Sequence, residues 1–359
     1  MRIYAYFLLI YSYTKNGQIA IINSLKEKEN IAKRRMGKER SGYLVKNANN
    51  MAKIRGKSPG VWCILKKDKW LYIFLLPFLI YFLIFKYIPM LGTIMAFQDF
   101  KFSTGFFGSE WVGLEHFRRL FSGNNFGMIL KNTLFLNVAS VIFGFPIPII
   151  LAIFLNEVKC KWFKKLTQSI MYLPHFMSWV VLGGILIELF SPSTGVVNMV
   201  LNRVFHLEPI YFMGSNFWWP VIFVISGIWQ GAGWGTIVYL AAITGIDPEL
   251  YEAASIDGAG KMKQIRHITI PCLSSTIVIM LILRMGSMMD VGFEQVYVMM
   301  NPKVREVSEV ISTYVYRVGI EGAQYSYTTA IGLFQSVISC ILVFSTNTIA
   351  KRISGSGLW

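Results

Sequence analysis

The sequence predicts an all-α membrane protein with six transmembrane helices. Of its 359 residues, 54% are hydrophobic and only 15% are charged, whereas soluble domains average about 25% charged residues. Six long stretches are almost free of charge, and each is long enough to cross a bilayer, which takes roughly 20 residues in a helix. We place these spans at about 70–97, 132–156, 166–188, 217–246, 273–293 and 330–350.

The positive charge is concentrated at the start of the chain. Residues 1–69 hold 16 Lys and Arg against 4 Asp and Glu, which is +12 of the net +16. A basic segment beside a membrane helix favours the cytoplasmic side, so we predict that 1–69 is a basic cytoplasmic segment that does not bind nucleic acid. Six spans then return the short C-terminal tail, 353–359, to the cytoplasm as well.

The first residues allow two interpretations. Residues 1–13 are apolar and aromatic but too short to cross a bilayer, and they lack the small-residue cleavage site of a signal peptide. This stretch is either a peripheral amphipathic segment or part of a non-native extension produced by an upstream translation start. In the second case the native chain begins at Met36 or Met51.

Motifs for catalysis and metal binding are missing from the sequence. Cys63, Cys160, Cys272 and Cys340 form no Cys-x-x-Cys pair and have no His nearby at metal-ligand spacing, so neither a disulfide nor a metal site is indicated. The sequence has no phosphate-binding Gly-x-x-x-x-Gly-Lys-Ser/Thr loop and no nucleophile elbow. We therefore expect a chain that is not an enzyme, binds no cofactor and does not hydrolyse ATP alone.

A polar island from Asp247 to Pro271 separates the fourth and fifth apolar stretches. Asp247 and Pro248 predict a helix start, because Asp caps free backbone N–H groups and Pro suits the first helical position. Gly258 and Gly260 interrupt this helix, and a second helical piece is expected to run until Pro271 stops it. The island is thus predicted to be a cytoplasmic helix-turn-helix elbow.

The fourth span carries aromatic and amide side chains between small residues. A glycine at every fourth position from Gly227 to Gly235 indicates close packing with a neighbouring helix. Trp229, Gln230 and Trp234 lie among these glycines and offer the aromatic planes and the amide that suit a sugar. Tryptophan also anchors helices at the membrane interface, so a substrate passage and a lipid anchor both remain open.

Two charged residues lie in or near the predicted fifth span. Arg284 is about 16 Å from the start of that span, at 1.5 Å per residue, and Asp290 lies further along. Charges at such depth face the protein interior or water and are usually paired. Six residues apart, the two lie on different helix faces, so we expect each to pair elsewhere, with Glu188 and Glu294 as candidates. A structural salt bridge and a contact with substrate remain equally open.

The elbow carries a pattern that is specific to a known family. The residues of this pattern and its anchoring positions are Glu252, Ala253, Ala254, Gly258, Ile265, Ile268 and Pro271. Together they resemble the coupling loop of the membrane-spanning subunits of ATP-binding-cassette importers that depend on a solute-binding protein. The resemblance covers about 70–352 and implies the maltose-type importer permease fold. Residues 290–301 and 312–319 resemble the branch of permeases for complex oligosaccharides, including uronate-containing ones.

The resemblance implies half of a translocation pathway for an oligosaccharide in the bacterial plasma membrane. The implied partners are a homologous second permease, two ATPase subunits that bind ATP and Mg, an extracellular solute-binding (lipo)protein and membrane lipid. Within the elbow, Glu252 would contact the ATPase and Gly258 would allow the turn. Ile265, Ile268 and Pro271 would fix the elbow to the membrane body.

Two other classes of function remain as alternatives. A stand-alone ion-coupled secondary transporter or channel would use Arg284, Asp290 and Glu188, and it would need neither ATP nor a partner. A membrane-anchored regulator would instead bind nucleic acid through residues 26–57.

Overall fold

The computed structural model of this chain describes residues 69–355 and 357–358, and these residues are mostly helical. The predicted basic segment lies outside the described residues apart from Lys69, and so does the stretch 26–57. Five continuous helices are long and apolar enough to cross a membrane, and a sharply bent pair makes a sixth span when its two halves are counted together. In chain order the spans are Tyr72–Phe97, Asn125–Glu157, Lys161–Phe176 with Trp179–Leu189, Trp218–Thr244, Lys261–Gly286 and Tyr325–Arg352. The predicted all-α membrane fold is therefore confirmed.

The described residues belong to two compact units: the first holds the residues up to Gly92 together with Leu358, and the second runs from Thr93 to Gly357. The first unit holds most of the first span. Its helical elements are the α-helix Lys69–Phe82, the π-helical turn Leu83–Tyr87, the short α-helical turn Ile88–Met90 and the start of the 3₁₀ helix Leu91–Phe97. Large apolar side chains along it are exposed, which suits contact with lipid.

The second unit contains the other five spans and the segments that connect them. Its α-helices are Gly105–Gly108, Glu115–Ser122, Asn124–Gly144, Pro146–Glu157, Lys161–Tyr172, Trp179–Leu189, Val196–Phe205, Trp218–Thr244, Pro248–Ile256, Lys261–Gln264, Ile270–Gly286, Phe293–Met299, Arg305–Ser308, Ile311–Val315 and Tyr325–Ser354. Its 3₁₀ and π turns are Leu173–Phe176, Phe212–Gly214, Ile265–Thr269, Pro302–Val304 and Tyr316–Glu321. Two short strands, β1 (Gln98–Asp99) and β2 (Glu110–Trp111), form an antiparallel pair.

The third span is broken, whereas the sequence predicts one continuous helix over 166–188. Its two halves meet at an angle of 99°. Pro174 lies in the 3₁₀ turn that ends the first half, and Met177 and Ser178 then adopt extended backbone angles. The Ser178 side chain accepts a hydrogen bond from the backbone N–H of Val181 at 3.4 Å and so caps the second half. A proline followed by a new helix cap explains the break.

The fifth span is displaced along the sequence from its predicted position, 273–293. It runs from Lys261 to Gly286 as one helical span, so the prediction that Pro271 stops a helix is wrong. The π-helical turn Ile265–Thr269 precedes the proline, and the backbone N–H of Ile270 bonds to the carbonyl of Ile265, five residues back. This wider turn shifts the hydrogen-bond register at the point where Pro271 cannot donate.

The segment between the fifth and sixth spans is folded and includes the helices Phe293–Met299 and Ile311–Val315. Val296 and Met299, in the helix Phe293–Met299, are buried in the same apolar cluster as Trp219 and Phe223 of the fourth span. The indole N–H of Trp219 donates to the carbonyl of Met299 at 2.9 Å. Apolar packing and a buried hydrogen bond therefore hold this segment against the fourth span.

A buried carboxylate fixes the end of this segment. The Glu309 side chain is 4% exposed and lies 2.7 Å from the guanidinium of Arg317 and 3.2 Å from that of Arg305. The amide of Asn132, in the second span, donates to the backbone carbonyl of Glu309 at 3.1 Å. A buried charge must be paired to be tolerated, so the two arginines make this position of Glu309 stable.

We expect Glu309→Gln to destabilise the folded permease body. The change removes charge-assisted hydrogen bonds from a buried site, at a cost of about 1–3 kcal/mol. Thermal unfolding of the purified chain in detergent should show a lower midpoint. The matched control is Glu306→Gln, since the side chain of Glu306 is exposed. Equal midpoints for the two variants would contradict the structural role of Glu309.

Candidate coupling elbow and substrate passage

The first arm of the elbow is the helix Pro248–Ile256. The Asp247 side chain accepts a hydrogen bond from the backbone N–H of Glu249 at 3.0 Å, and Pro248 occupies the first helical position. The predicted helix start is thus confirmed. On this arm Glu252 and Ala253 are exposed and Ala254 is half-buried. Among the described residues Glu252 has no ion-pair partner, so its carboxylate is available to another molecule.

The turn between the two arms depends on Gly258. Its φ angle is +75°, in the left-handed region that favours glycine. The Ala259 N–H bonds to the Ala254 carbonyl at 2.8 Å, and the Gly258 N–H bonds to the Ser255 carbonyl at 3.1 Å. These two bonds form a Schellman motif, which satisfies the last carbonyls of the helix. A Cβ on Gly258 would meet no atom within 4 Å, so backbone conformation rather than crowding requires glycine here.

Side-chain hydrogen bonds join the two arms across this turn. The Gln264 amide donates to Ser255 Oγ at 2.8 Å and to the Ala259 carbonyl at 3.2 Å. The hydroxyls of Tyr251 and Thr269 lie 2.9 Å apart. Gln264 and Thr269 are both buried, and buried hydrogen bonds of this kind hold a local geometry strongly because leaving one unmade is costly.

Sequence reasoning missed these four linking residues. Tyr251 and Ser255 are four positions apart and so share one face of the first arm. The two hydroxyl groups on this one face were the available sign that it contacts the second arm. The signal is weak, because nothing in the sequence shows which face of the first arm meets the second.

The second arm of the elbow is the beginning of the fifth span itself. Lys261 starts this arm, and its ammonium lies 3.1 Å from the Glu157 carboxylate at the end of the second span. Further along, Ile265 and Ile268 are half-buried and Pro271 is exposed. The elbow therefore continues into a membrane helix without an intervening loop.

An apolar cluster holds this end of the fifth span against its neighbours. Leu273 packs with Ala152 of the second span and with Tyr239 and Ile243 of the fourth span. Displacement of the elbow would act on this cluster directly, because protein interiors are close-packed and transmit strain.

The structure brings two of the predicted passage residues to the break in the third span. The Trp234 indole stacks on the His175 ring, with centroids 4.8 Å apart and planes 7° apart. The Gln230 amide donates to the His175 carbonyl at 3.5 Å. Trp229 is 51% exposed and Trp234 is 49% exposed, so both present aromatic surface to whatever lies beside the chain.

The glycines of the fourth span are only partly explained by close packing. A Cβ on Gly235 would lie 3.0 Å from Pro148, and one on Gly227 would lie 3.4 Å from Gln295, whereas one on Gly231 would meet nothing within 4 Å. The tightest position is Gly233, where a Cβ would collide with the Met171 carbonyl. Of the three glycines predicted to pack closely against a neighbour, Gly227 and Gly235 do so and Gly231 does not.

The charged candidates are not paired in the way the sequence suggests. Arg284 lies two residues before the end of the fifth span, and Asp290 lies beyond that end, where its carboxylate accepts a hydrogen bond from the Gly292 N–H at 3.0 Å. Arg284, Asp290, Glu188 and Glu294 are all exposed. Within the part of the chain that the structure describes, none of the four forms a salt bridge. The expected pairing of Arg284 and Asp290 with Glu188 and Glu294 is absent there.

Comparison with known proteins identifies the family. The sequence profile described as "Binding-protein-dependent transport system inner membrane component" matches residues 120–355. The chain belongs to this family. The permease is therefore a membrane component of a binding-protein-dependent transport system, and the alternative of a stand-alone transporter or channel is not favoured.

Two kinds of relative resemble the permease over most of its length. The polygalacturonan/rhamnogalacturonan transport system permease protein YteP of Bacillus subtilis (strain 168) is 46% identical over 293 residues, which cover 82% of this chain and 91% of YteP. A chain of a bacterial alginate ABC transporter, crystallised with its alginate pentasaccharide-bound periplasmic protein, is 42% identical with a TM-score of 0.77. That match covers 83% of the permease and 100% of the solved chain.

A second crystal structure, of a bacterial ABC transporter involved in import of the acidic polysaccharide alginate, gives a similar match. Its chain is 43% identical, with a TM-score of 0.76 and coverage of 82% of the permease and 99% of the solved chain. The permease thus has the fold of ABC importer permeases.

Proposed function

We propose that the permease forms half of the translocation pathway for an acidic, uronate-containing oligosaccharide, and that the elbow couples this pathway to a separate ATPase. A homologous second permease would supply the other half of the pathway. Two ATPase subunits, carrying ATP and Mg, would lie on the cytoplasmic side, and an extracellular binding protein would deliver the sugar. Both termini would then lie in the cytoplasm.

The observation that carries the coupling proposal is the continuity between the elbow and the fifth span. The exposed Glu252 lies on an arm that is hydrogen-bonded to the first turns of that span. A partner that binds the arm and moves would therefore pull on a membrane helix. Gly258 contributes the turn, while Ile265, Ile268 and Pro271 lie where the elbow becomes the membrane body.

The substrate proposal has different support. The relatives described above are named for polygalacturonan, rhamnogalacturonan and alginate transport, and alginate is an acidic polysaccharide. In the permease, Arg284 supplies an exposed cation near the outer end of the fifth span. Trp229, Gln230 and Trp234 supply aromatic and amide surface, and we keep Asp290 and Glu188 as further candidates along the passage.

We expect Glu252→Lys to abolish uptake and transport-coupled ATP hydrolysis in the assembled transporter, because a reversed charge at a docking surface disfavours the partner. Membrane insertion should be normal, since the side chain is exposed. Asp257→Lys makes the same charge change five residues away, about 140° around a helix at 3.6 residues per turn. This control should retain uptake. Normal uptake by the Glu252→Lys transporter would refute the coupling proposal.

Arg284→Gln should reduce uptake of an acidic oligosaccharide more than uptake of its carboxyl-reduced form. The guanidinium pairs with a carboxylate through charge-assisted hydrogen bonds, which a neutral amide cannot replace. The measurement is the ratio of initial uptake rates for the two sugars in proteoliposomes. An equal change in both rates would show that Arg284 does not read the charge of the substrate.

A further inference from the structure

We propose that the permease carries a second sugar subsite at the end of the membrane body remote from the elbow, and that Arg119 in this subsite binds a carboxylate of the sugar. The inference rests on the proposed function for the class of substrate. The residues that line it are different from the passage residues Trp229, Gln230, Trp234 and Arg284.

A cavity of about 360 Å³ lies where four elements meet. These are the helix Glu115–Ser122, the start of the second span, the helix Ile311–Val315 and the start of the sixth span. The residues that line the cavity and matter here are Arg119, Ser122, Asn125, Phe126, Tyr314 and Tyr327. Its volume falls within the roughly 300–1,000 Å³ of small-molecule sites.

Arg119 is held in place but keeps binding capacity. Its guanidinium carbon lies 4.5 Å from the centre of the Tyr327 ring, and one terminal nitrogen donates to the Gln324 side-chain carbonyl at 2.8 Å. No carboxylate of the described residues forms a salt bridge with it. A guanidinium has five N–H donors in a rigid fork, so the remaining donors can bind a carboxylate in a bidentate way.

The lining of the cavity offers polar groups for sugar hydroxyls beside that carboxylate. Tyr327 is 5% exposed and belongs to a buried cluster with Leu120, Phe126 and Ile129, which makes this wall rigid. The Tyr314 ring is covered in part by the Arg317 guanidinium, whose carbon lies 5.3 Å from the ring centre. Ser122 and Asn125 are exposed, and their hydroxyl and amide can exchange hydrogen bonds with sugar hydroxyls. One cation with free donors and two neutral polar side chains together suit a sugar that carries a carboxylate.

The position of the cavity agrees with a role in sugar entry. It lies at the start of the second span, and the far end of that span is tied to the elbow through Glu157 and Lys261. The 33 residues of the second span correspond to a helix of roughly 50 Å at 1.5 Å per residue. With a cytoplasmic elbow, the cavity therefore faces the side on which a binding protein delivers sugar.

The test is a binding titration of the complete transporter in lipid nanodiscs without nucleotide or binding protein. The probes are trigalacturonate and its carboxyl-reduced form. Arg119→Gln should weaken trigalacturonate binding about tenfold or more, which is the effect of losing hydrogen bonds between charged groups. Binding of the carboxyl-reduced form should stay unchanged. The control is Arg118→Gln, since Arg118 is exposed and does not line the cavity; it should behave as wild type.

Three results would overturn the subsite: equal affinity of the wild type for both sugars, no effect of Arg119→Gln, or an equal effect of Arg118→Gln. The subsite also fails if Arg119→Gln leaves the sugar affinity unchanged and instead weakens docking of the sugar-free binding protein. That result would assign the cavity to a protein contact.

Wild-type uptake of trigalacturonate, measured separately, tests the proposed function. If the wild type takes up trigalacturonate but the Arg119→Gln variant binds it with unchanged affinity, only the subsite is refuted. If binding depends on Arg119 but the wild type does not take up the sugar, only the proposed function is refuted.

Discussion

The hydrogen bonds between the two arms of the elbow are the constraint on which the proposed mechanism depends. Gln264 and Thr269 are buried and reach back to Ser255 and Tyr251 of the first arm. Without them the arms would be joined only by the turn at Gly258, and movement of the first arm could be lost in that turn. With them the exposed arm, the turn and the first turns of the fifth span form one body that can transmit a displacement.

The sequence predicts the class of fold and the start of the elbow because local chemistry decides both. Charge-free stretches of sufficient length, the Asp247 cap and the positive φ of Gly258 each act within a few residues. The failures come from short-range adjustments of the backbone that the residue types alone do not reveal. A π turn accommodates Pro271 within the fifth span. That span ends at Gly286, which leaves Asp290 outside it. In the third span, a 3₁₀ turn and the Ser178 cap break the helix. Cross-arm partners such as Gln264 appear only once the turn has brought the arms together.

Arginines at three places in this permease have different roles. Arg305 and Arg317 surround the buried carboxylate of Glu309 and stabilise the segment between the fifth and sixth spans. Arg284 and Arg119 form no salt bridge among the described residues. An arginine that is already neutralised can do little for an acidic sugar, whereas an unpaired one in contact with water can bind a carboxylate. This contrast is why we propose the two unpaired arginines, and not the paired ones, for the path of the substrate.

Rigid movement of the elbow with the fifth span can be measured by spin-label distances in the complete transporter. Labels would replace the exposed residues Ile256 and Leu283 after the native cysteines have been substituted, and a pair across the two permeases would report the transport cycle. We predict that the 256–283 distance stays the same between the nucleotide-free and ATP-bound states while the distance across the permeases changes. A shift of several ångströms in the 256–283 distance during the same cycle would contradict rigid coupling, because the elbow would then bend relative to the fifth span instead of moving with it.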